Sequence, residues 1–410
     1  MDRIAPQPWM IAPATRAVVE ALTAGGSEVR FVGGCLRDAL LGREVVDIDI
    51  ATPDPPARVI ELLASAGLKA VPTGIEHGTV TAVALHRPFE ITTLRHDVET
   101  YGRRAKVAFT DDWVADAARR DFTFNALSCT PDGRLYDPFG GQADLAEGRV
   151  RFVGRAEDRI REDVLRLLRF FRFYSHYGKP PPDEEALAAA HVMAPLLPTL
   201  SGERIAKELL KLLAAPDPTP ALALMRAQAV LMHVLPEATL LERLARLVAI
   251  ERAEGIGAGG PRRLVALLAG GEAVSAVAGR LRLPNATRER MEQALQPPPP
   301  SPRMPVPARR ALRYRLTAES YLDRALLAAA GSGEPASAWS EVFALADWQP
   351  PSFPLRARDA LARGATAGPA LGALMKELES WWIAGDFEAD REACLRELER
   401  RLKGGPARTG

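Results

Sequence analysis

Residues Val45 to Ala51 read Val-Val-Asp-Ile-Asp-Ile-Ala. In an extended chain alternate side chains share a face, so Asp47 and Asp49 are expected to project together while Val46, Ile48 and Ile50 fill the opposite, buried face. Two carboxylates pointing together repel each other. A divalent cation such as Mg²⁺, which prefers oxygen ligands and phosphate groups, would neutralise them. A solvated surface strand accounts for an isolated Asp-x-Asp as well. Glu90, flanked by Phe89 and Ile91 on another candidate strand, is either a third carboxylate for such a site or a charge that protects a sheet edge.

Upstream, the apolar run ending at Val32 is followed by Gly33-Gly34 and a short helical pattern carrying Arg37 and Asp38. A strand, tight turn and helix start expose backbone N–H groups where a phosphate can be held, although the same turn occurs for packing alone. Downstream, Arg119-Arg120-Asp121 and then Asn125 gather donors and acceptors that suit a phosphate and a ribose hydroxyl. Arginine is also drawn to helix C-termini by the dipole. Glu162, Asp163, Arg166, Arg169 and Arg172 then fall on one amphipathic stretch, with Asp163 and Arg166 three residues apart and so neighbours on a helix face. From Arg149 to Lys179 nine basic residues face four acidic ones, a local excess that suits a polyanion.

The elements that must position these groups alternate over the first 150 residues. Strands are expected at 29–32, 45–51, 79–85 and 89–94. Helices are expected at 36–41, 56–66 and 110–120, the last capped by Thr110 or Asp111, and residues 126–136 read as a hairpin turning at Pro131-Asp132-Gly133. From about residue 155 the pattern is helical throughout. Seven prolines within Pro297 to Pro307 mark a linker or insertion. This predicts an α+β protein: a mixed-sheet catalytic domain at 1–150, then a helical region divided at 151–275 and 276–410, with the Pro-rich insertion at 297–307.

Across the whole chain 53 Lys and Arg balance 52 Asp and Glu, so no global charge points to a partner. Cys35, Cys129 and Cys394 are odd in number and far apart, which excludes a disulfide framework or a cysteine zinc site and fits a reducing compartment. No run of 18 apolar residues and no signal segment is visible, so a cytoplasmic protein without a membrane partner is expected.

In order, the segments GGCLRD with DID, RRDFTFNAL, YDPFGGQADL, EDVLRLLRFFRF and ERIAKELLKLL resemble the class II tRNA nucleotidyltransferase family, the CCA-adding enzymes and their relatives the bacterial poly(A) polymerases. A looser match covers FPLRARDALARGATAGPALGALMKEL at 353–378. The chain departs from the family pattern at Phe124, where isoleucine is usual, and at Arg358, where glycine is usual. The resemblance implies a polymerase-beta-like nucleotidyltransferase head, a base-recognition neck and a tRNA-binding body and tail.

It implies that Gly33 and Gly34 cradle a triphosphate, that Arg37 and Asp38 shape the loop, and that Asp47 and Asp49 hold Mg²⁺; Glu90 stays a candidate third catalytic acid on the reading of its own residues. Arg120, Asp121 and Asn125 would contact phosphate and ribose. Glu162, Asp163 and Arg166 would read the base of CTP or ATP, with Arg169 a further nucleotide contact, and Glu203 to Leu213 would support that helix from behind. Residues 93–109 match the flexible loop that full CCA-adding members need for the switch from CTP to ATP. The only His-Asp dipeptide, His96-Asp97, has no metal-ligand partners at the expected spacing, which excludes an HD phosphohydrolase.

The expected activity is therefore addition of CCA to the 3′ end of tRNA from CTP and ATP. The alternative is a poly(A) polymerase, which would use ATP alone on many RNAs. A catalytically dead RNA-binding module would have lost a paired aspartate or the base-reading arginine, and all are present. Oligomeric state is not readable from the sequence.

Overall fold

The computed structural model describes residues 3–101 and 104–404, and side chains outside 97–107. The chain forms two compact units, residues 1–236 and 237–410. In the first, seven strands build one mixed sheet: β1 (Arg30–Val32), β2 (Asp49–Thr52), β3 (Lys69–Gly74), β4 (Thr79–Ala84), β5 (Arg87–Thr93), β8 (Ser128–Cys129) and β9 (Leu135–Tyr136), in the order β3-β4-β5-β2-β1-β8-β9. Only β2 and β5 run parallel. Strands β6 (Arg95–Tyr101) and β7 (Arg104–Phe109) form a separate two-stranded ribbon where a flexible loop was expected, and residues 102 and 103 of that loop lie outside the described residues.

The sheet's buried face follows the period of two. Val80, Ala82 and Ala84 alternate inward along β4 and meet Phe31, Ile50, Phe89 and Ile91, while helices Pro13–Thr23 and Pro56–Ser65 close the core with Val18, Leu22, Val59 and Leu63. Strand β3 escaped the sequence reading because Pro72 interrupts its pattern. It lies at the sheet's edge, where a proline is tolerated.

Three local expectations are corrected. The strand expected over 45–51 begins only at Asp49, and Val46 is exposed rather than buried. Arg87 donates to the carbonyl of Val46 at 3.0 Å, so a side chain takes a bond that a ladder would have used. The 110–120 helix starts at Trp113 and is capped by Asp112, whose carboxylate accepts the N–H groups of Val114 and Ala115. The stretch expected as one helix over 162–177 is two, Ala156–Glu162 and Leu165–Tyr177, broken at Asp163, whose backbone is extended and whose Oδ1 accepts the Leu165 N–H.

A second core is aromatic. Phe122 and Phe124 stack at 5.7 Å, and both meet the edge of Phe173. Phe152 and Phe170 extend the cluster. Phe124, the departure from the family pattern, thus fills a site bounded by other rings. Helix Gly202–Leu213 packs on Leu165–Tyr177 and sends Glu208 to Arg172.

The second unit is helical throughout. Its centre holds a buried ion cluster in which Arg262 bridges Glu251 and Asp323, and Arg290 joins at Asp323. The proline-rich run lies between helices Asn285–Ala294 and Val306–Arg315, with Pro307 absorbed into the first turn of the latter. A separate core of Leu378, Trp382, Cys394 and Leu398 carries the C-terminal signature. There Asp359 accepts from the Arg356 N–H and from Arg391, while Arg358 is exposed, so an arginine is accommodated where the family has glycine.

Gly141 opens a helix directly beneath the turn that carries Asn125. A Cβ there would stand 2.2 Å from the carbonyl oxygen of Thr123. Gly141→Ala is therefore expected to destabilise the first unit by about 1–3 kcal/mol, read as a lower urea midpoint with an unchanged slope; an unaltered midpoint would refute the contact.

Candidate active site

A cleft of about 540 Å³ opens above β1, β2 and β5 in the first unit. At its floor the parallel register sets Asp49 directly beside Glu90, and β1 sets Val32 on the other side of Asp49. Gly33 follows with φ +72, and a Cβ on it would sit 3.6 Å from Asp49 Oδ2 and 3.5 Å from Arg120 Nη1, so glycine keeps the turn open to a ligand.

Burial first, then the charge of Glu90, pushes the Asp49 carboxyl up to about 6, with Asp47 adding to the rise and Arg120 opposing it. These two cleft acids are thus an oxygen-only donor pair short of positive charge, which is what a hard divalent cation would complete. Asp47 lies two residues before the strand, exposed, and does not line the cleft. Among the described residues no three His, Cys, Asp or Glu side chains converge on one point, so a cation here would need ligands from a bound phosphate.

The wall is made of arginines, each aimed by an acceptor. Arg37 receives support from Asp38 at 3.1 Å, and its Nη1 donates to Asn125 Oδ1 at 3.0 Å. Asp38 itself stays outside the cleft and accepts the Tyr177 hydroxyl. Asp116, almost fully buried, accepts from Arg119 and Arg120 and from the Arg95 N–H. Although burial works against its charge, these two guanidinium groups hold its carboxyl below the usual range. Asp121 is saturated: Oδ1 accepts from the Phe122 N–H and Asn125 Nδ2, and Oδ2 from Arg169 at 2.6 Å. Its carboxyl is also held low by Arg169 against the effect of burial. Asp121 therefore aims Arg169 and Asn125 and has little capacity left for a ligand.

At the far end the sequence had paired Asp163 with Arg166 on one helix. The structure corrects this, because the break at Asp163 turns its carboxylate away to Arg204, which donates at 2.8 and 3.0 Å. Arg166 bonds instead to Glu162, to the Arg159 carbonyl at 3.1 Å and to the Arg119 carbonyl at 3.2 Å. Asp163 and Arg166 both still line the cleft. Glu162 does not, and serves to orient Arg166 and Arg159.

Of the expected site residues, the structure brings together Gly33, Gly34, Arg37, Asp49, Glu90, Arg120, Asp121, Asn125, Asp163, Arg166 and Arg169. Sequence reasoning missed Arg204, Arg95, Phe173 and the buried Asp116, and named Arg119 only within the Arg119-Arg120-Asp121 cluster. Arg204 stands inside a recognised motif, and Asp116 is an acid on the inner face of a short helix, which was a usable signal.

The fold and cleft define a nucleotidyltransferase-type head joined to helices. Residues 29–151 match the family model described as the poly A polymerase head domain, and residues 182–241 match the probable RNA and SrmB-binding site of polymerase A. The chain is 45% identical over 201 residues to mouse mitochondrial CCA tRNA nucleotidyltransferase 1, covering 48% of this chain and 46% of that protein. It is 38% identical over 239 residues to the CCA-adding enzyme of Geobacillus stearothermophilus, 57% of each. These matches span about half the length of the curated relatives. The crystal structure of the Bacillus stearothermophilus CCA-adding enzyme in complex with CTP superposes with a TM-score of 0.70 at 27% identity, covering 96% of this chain and 99% of that one. The Thermotoga maritima CCA-adding enzyme complexed with tRNA shares the fold at 21% identity, with a TM-score of 0.60 and coverage of 98% and 97%. Over these matched segments the chain is similar to class II CCA-adding enzymes and bacterial poly(A) polymerases, a similarity that implies a divalent metal.

The raised Asp49 carboxyl makes a stability prediction. The folded protein holds this proton up to about pH 6, whereas the unfolded chain releases it near 3.8. The native state is therefore favoured at low pH and loses that advantage as pH rises through 6. Without added divalent metal, Asp49→Asn is expected to raise Tm by about 3–6 °C at neutral pH. The gain should shrink toward zero below about pH 4; a pH-independent difference would contradict the electrostatic cause.

Proposed function

We propose that this protein adds CCA to the 3′ end of tRNA from CTP and ATP with Mg²⁺, releasing pyrophosphate. The observation that carries the reading is the state of the base-end pair. Among the described residues Asp163 Oδ2 accepts only from Arg204, leaving one acceptor position, while Arg166 keeps Nε–H and one Nη2 hydrogen uncommitted. One acceptor beside two donors complements the edge shared by cytosine and adenine, an exocyclic amine next to a ring nitrogen acceptor. Uracil and guanine would present a carbonyl to the carboxylate, at a cost of about 1–3 kcal/mol for each buried group left unpaired.

The reaction is in-line attack of the tRNA 3′ oxygen on the α-phosphorus. The new O–P bond forms as the bond to the pyrophosphate oxygen breaks, pyrophosphate leaves, and the hydroxyl proton passes to solvent. The N–H groups after Gly33, with Arg37 and Arg120, would hold the triphosphate; Arg169 and Asn125 would meet the ribose side; Asp49 and Glu90, with Asp47 at the outer edge, would hold the cation. When bound, Mg²⁺ lowers the pKa of the attacking hydroxyl and offsets charge on the transferring phosphoryl group. In functional terms the head is residues 1–150, the neck 151–275 and the tRNA-binding body and tail 276–410. Among the described residues no helix is long and apolar enough to cross a membrane, and the three cysteines are free and buried. This supports placing the enzyme in the cytoplasm.

Incubation with tRNA lacking CCA and all four nucleotides, followed by 3′-end sequencing, tests the assignment. The expected product ends in CCA; oligo(A) on varied RNAs with no use of CTP would replace it with poly(A) polymerase. Asp49→Ala is expected to abolish addition while leaving tRNA affinity within about twofold. Asp163→Ala is expected to relax selection toward UTP and GTP by about tenfold or more, and Glu162→Gln to weaken use of CTP and ATP alike without relaxing selection. An unchanged CTP-to-UTP preference in Asp163→Ala would overturn the base-reading assignment.

A further inference from the structure

A second cavity of about 480 Å³ lies in the first unit, away from the cleft, between the end of helix Gly34–Leu40, the C-terminal turn of Leu165–Tyr177 and the start of helix Thr219–Ala227. Its size is that of an ordinary small-ligand site. Pro180, Pro216 and Pro220 give it flat apolar walls, and Arg43 and Lys179 contribute the cations.

The charge balance of this cavity differs from that of the cleft. In the cleft wall Arg37, Arg119, Arg120, Arg166, Arg169 and Arg204 each bond a carboxylate. Arg43 donates to the His176 carbonyl at 2.9 Å and Lys179 to the Ala146 carbonyl at 3.3 Å; among the described residues neither has a carboxylate within ion-pair distance. Both are exposed and keep further N–H donors for a ligand. Arg43 also lies on the Tyr177 ring at 4.5 Å from its centroid, which presents a flat cationic plate to the cavity. The acid on the rim, Asp217, turns Oδ1 to the N–H and hydroxyl of Thr219. Two cations with spare donors beside flat apolar walls suit a planar ring joined to a phosphate.

We propose that this cavity is a second nucleotide site, binding a nucleoside monophosphate unit with its phosphate between Arg43 and Lys179 and its base against the proline-lined wall. The unit can be a free nucleotide or a residue of an RNA strand.

Two variants of the full chain test the site, each checked for an unchanged melting temperature. Arg43→Ala/Lys179→Ala removes the cations, and Ala146→Trp obstructs the cavity from an exposed wall position without altering charge. Tyr177 is left intact because its hydroxyl supports Asp38 beside the cleft. The probes are AMP by calorimetry and a tRNA ending before CCA by filter binding. A loss of AMP affinity of about tenfold or more in both variants supports a free nucleotide as the occupant. The same loss of tRNA affinity in both, with no AMP binding by the wild type, supports a strand residue. Binding of both probes within about threefold of wild type overturns the site, as does a loss confined to the double alanine variant, which would mark only diffuse attraction between surface cations and RNA.

Discussion

Seven arginines, at 37, 95, 119, 120, 166, 169 and 204, line one cleft of about 540 Å³. Packed this closely, their charges repel, and such a group persists in a folded chain only where each guanidinium is bound at its back and open at its front. Asp38, Asp116, Asp121, Glu162 and Asp163 supply the backs of six of them, and the His77 carbonyl backs Arg95. An acid that binds two arginines also fixes their spacing, as Asp116 does for Arg119 and Arg120. The cleft is therefore ordered before any ligand arrives, and a polyphosphate meets donors whose reorganisation cost has already been met in folding.

The opposite requirement holds at the floor. Asp49 and Glu90 come together because β2 and β5 are the one parallel pair in the sheet, with Asp49 opposite Glu90 in register. Among the described residues no guanidinium is bonded to the back of either. The pair is left electrostatically unsatisfied, and burial, reinforced by the charge of Glu90, lets Asp49 keep its proton to about pH 6. A cleft with surplus positive charge along its wall and unneutralised carboxylates at its floor separates the tasks of binding phosphate and binding a cation. A phosphate with its metal satisfies both ends at once.

The features legible in the sequence were those set by short-range rules. The strand, glycine turn and helix at 30–40, the inward alternation of β4 and the proline-opened helix at 56 follow from periodicity and turn chemistry. The parallel meeting of Asp49 with Glu90 required a guess that two separated strands were neighbours, and the functional weight given to Glu90 reflected its apolar flanks. What escaped was long-range or broke a local rule. A period of 3.6 carried the eye straight through Asp163, because nothing local says that its carboxylate prefers Arg204, forty-one residues on, to Arg166. Val45 to Asp47 kept a strand's alternation, yet a side chain, Arg87, bonds the carbonyl of Val46 there. Asp116 carries no motif of its own and shows its importance only once three of its hydrogen-bond donors are seen to converge.

The break at Asp163 has a consequence for how base choice can be encoded. Had Asp163 and Arg166 shared one helix face, they would have paired with each other and presented a neutralised edge to the cleft. Breaking the helix separates them: Arg204, from helix Gly202–Leu213, draws the acid one way, while Glu162 and two backbone carbonyls draw the arginine another. Each keeps a directed remainder of its hydrogen-bonding capacity. The aromatic cluster then fixes their distance from the ribose side, because Phe173, on the helix that carries Arg166 and Arg169, packs edge-on against Phe122 and Phe124 of the segment that carries Asp121 and Asn125. On the proposed function, a rigid span between the groups that would read the base and those that would hold the ribose would let one hydrogen-bond pattern serve both a pyrimidine and a purine, the base edge being positioned by the protein and not by a template strand.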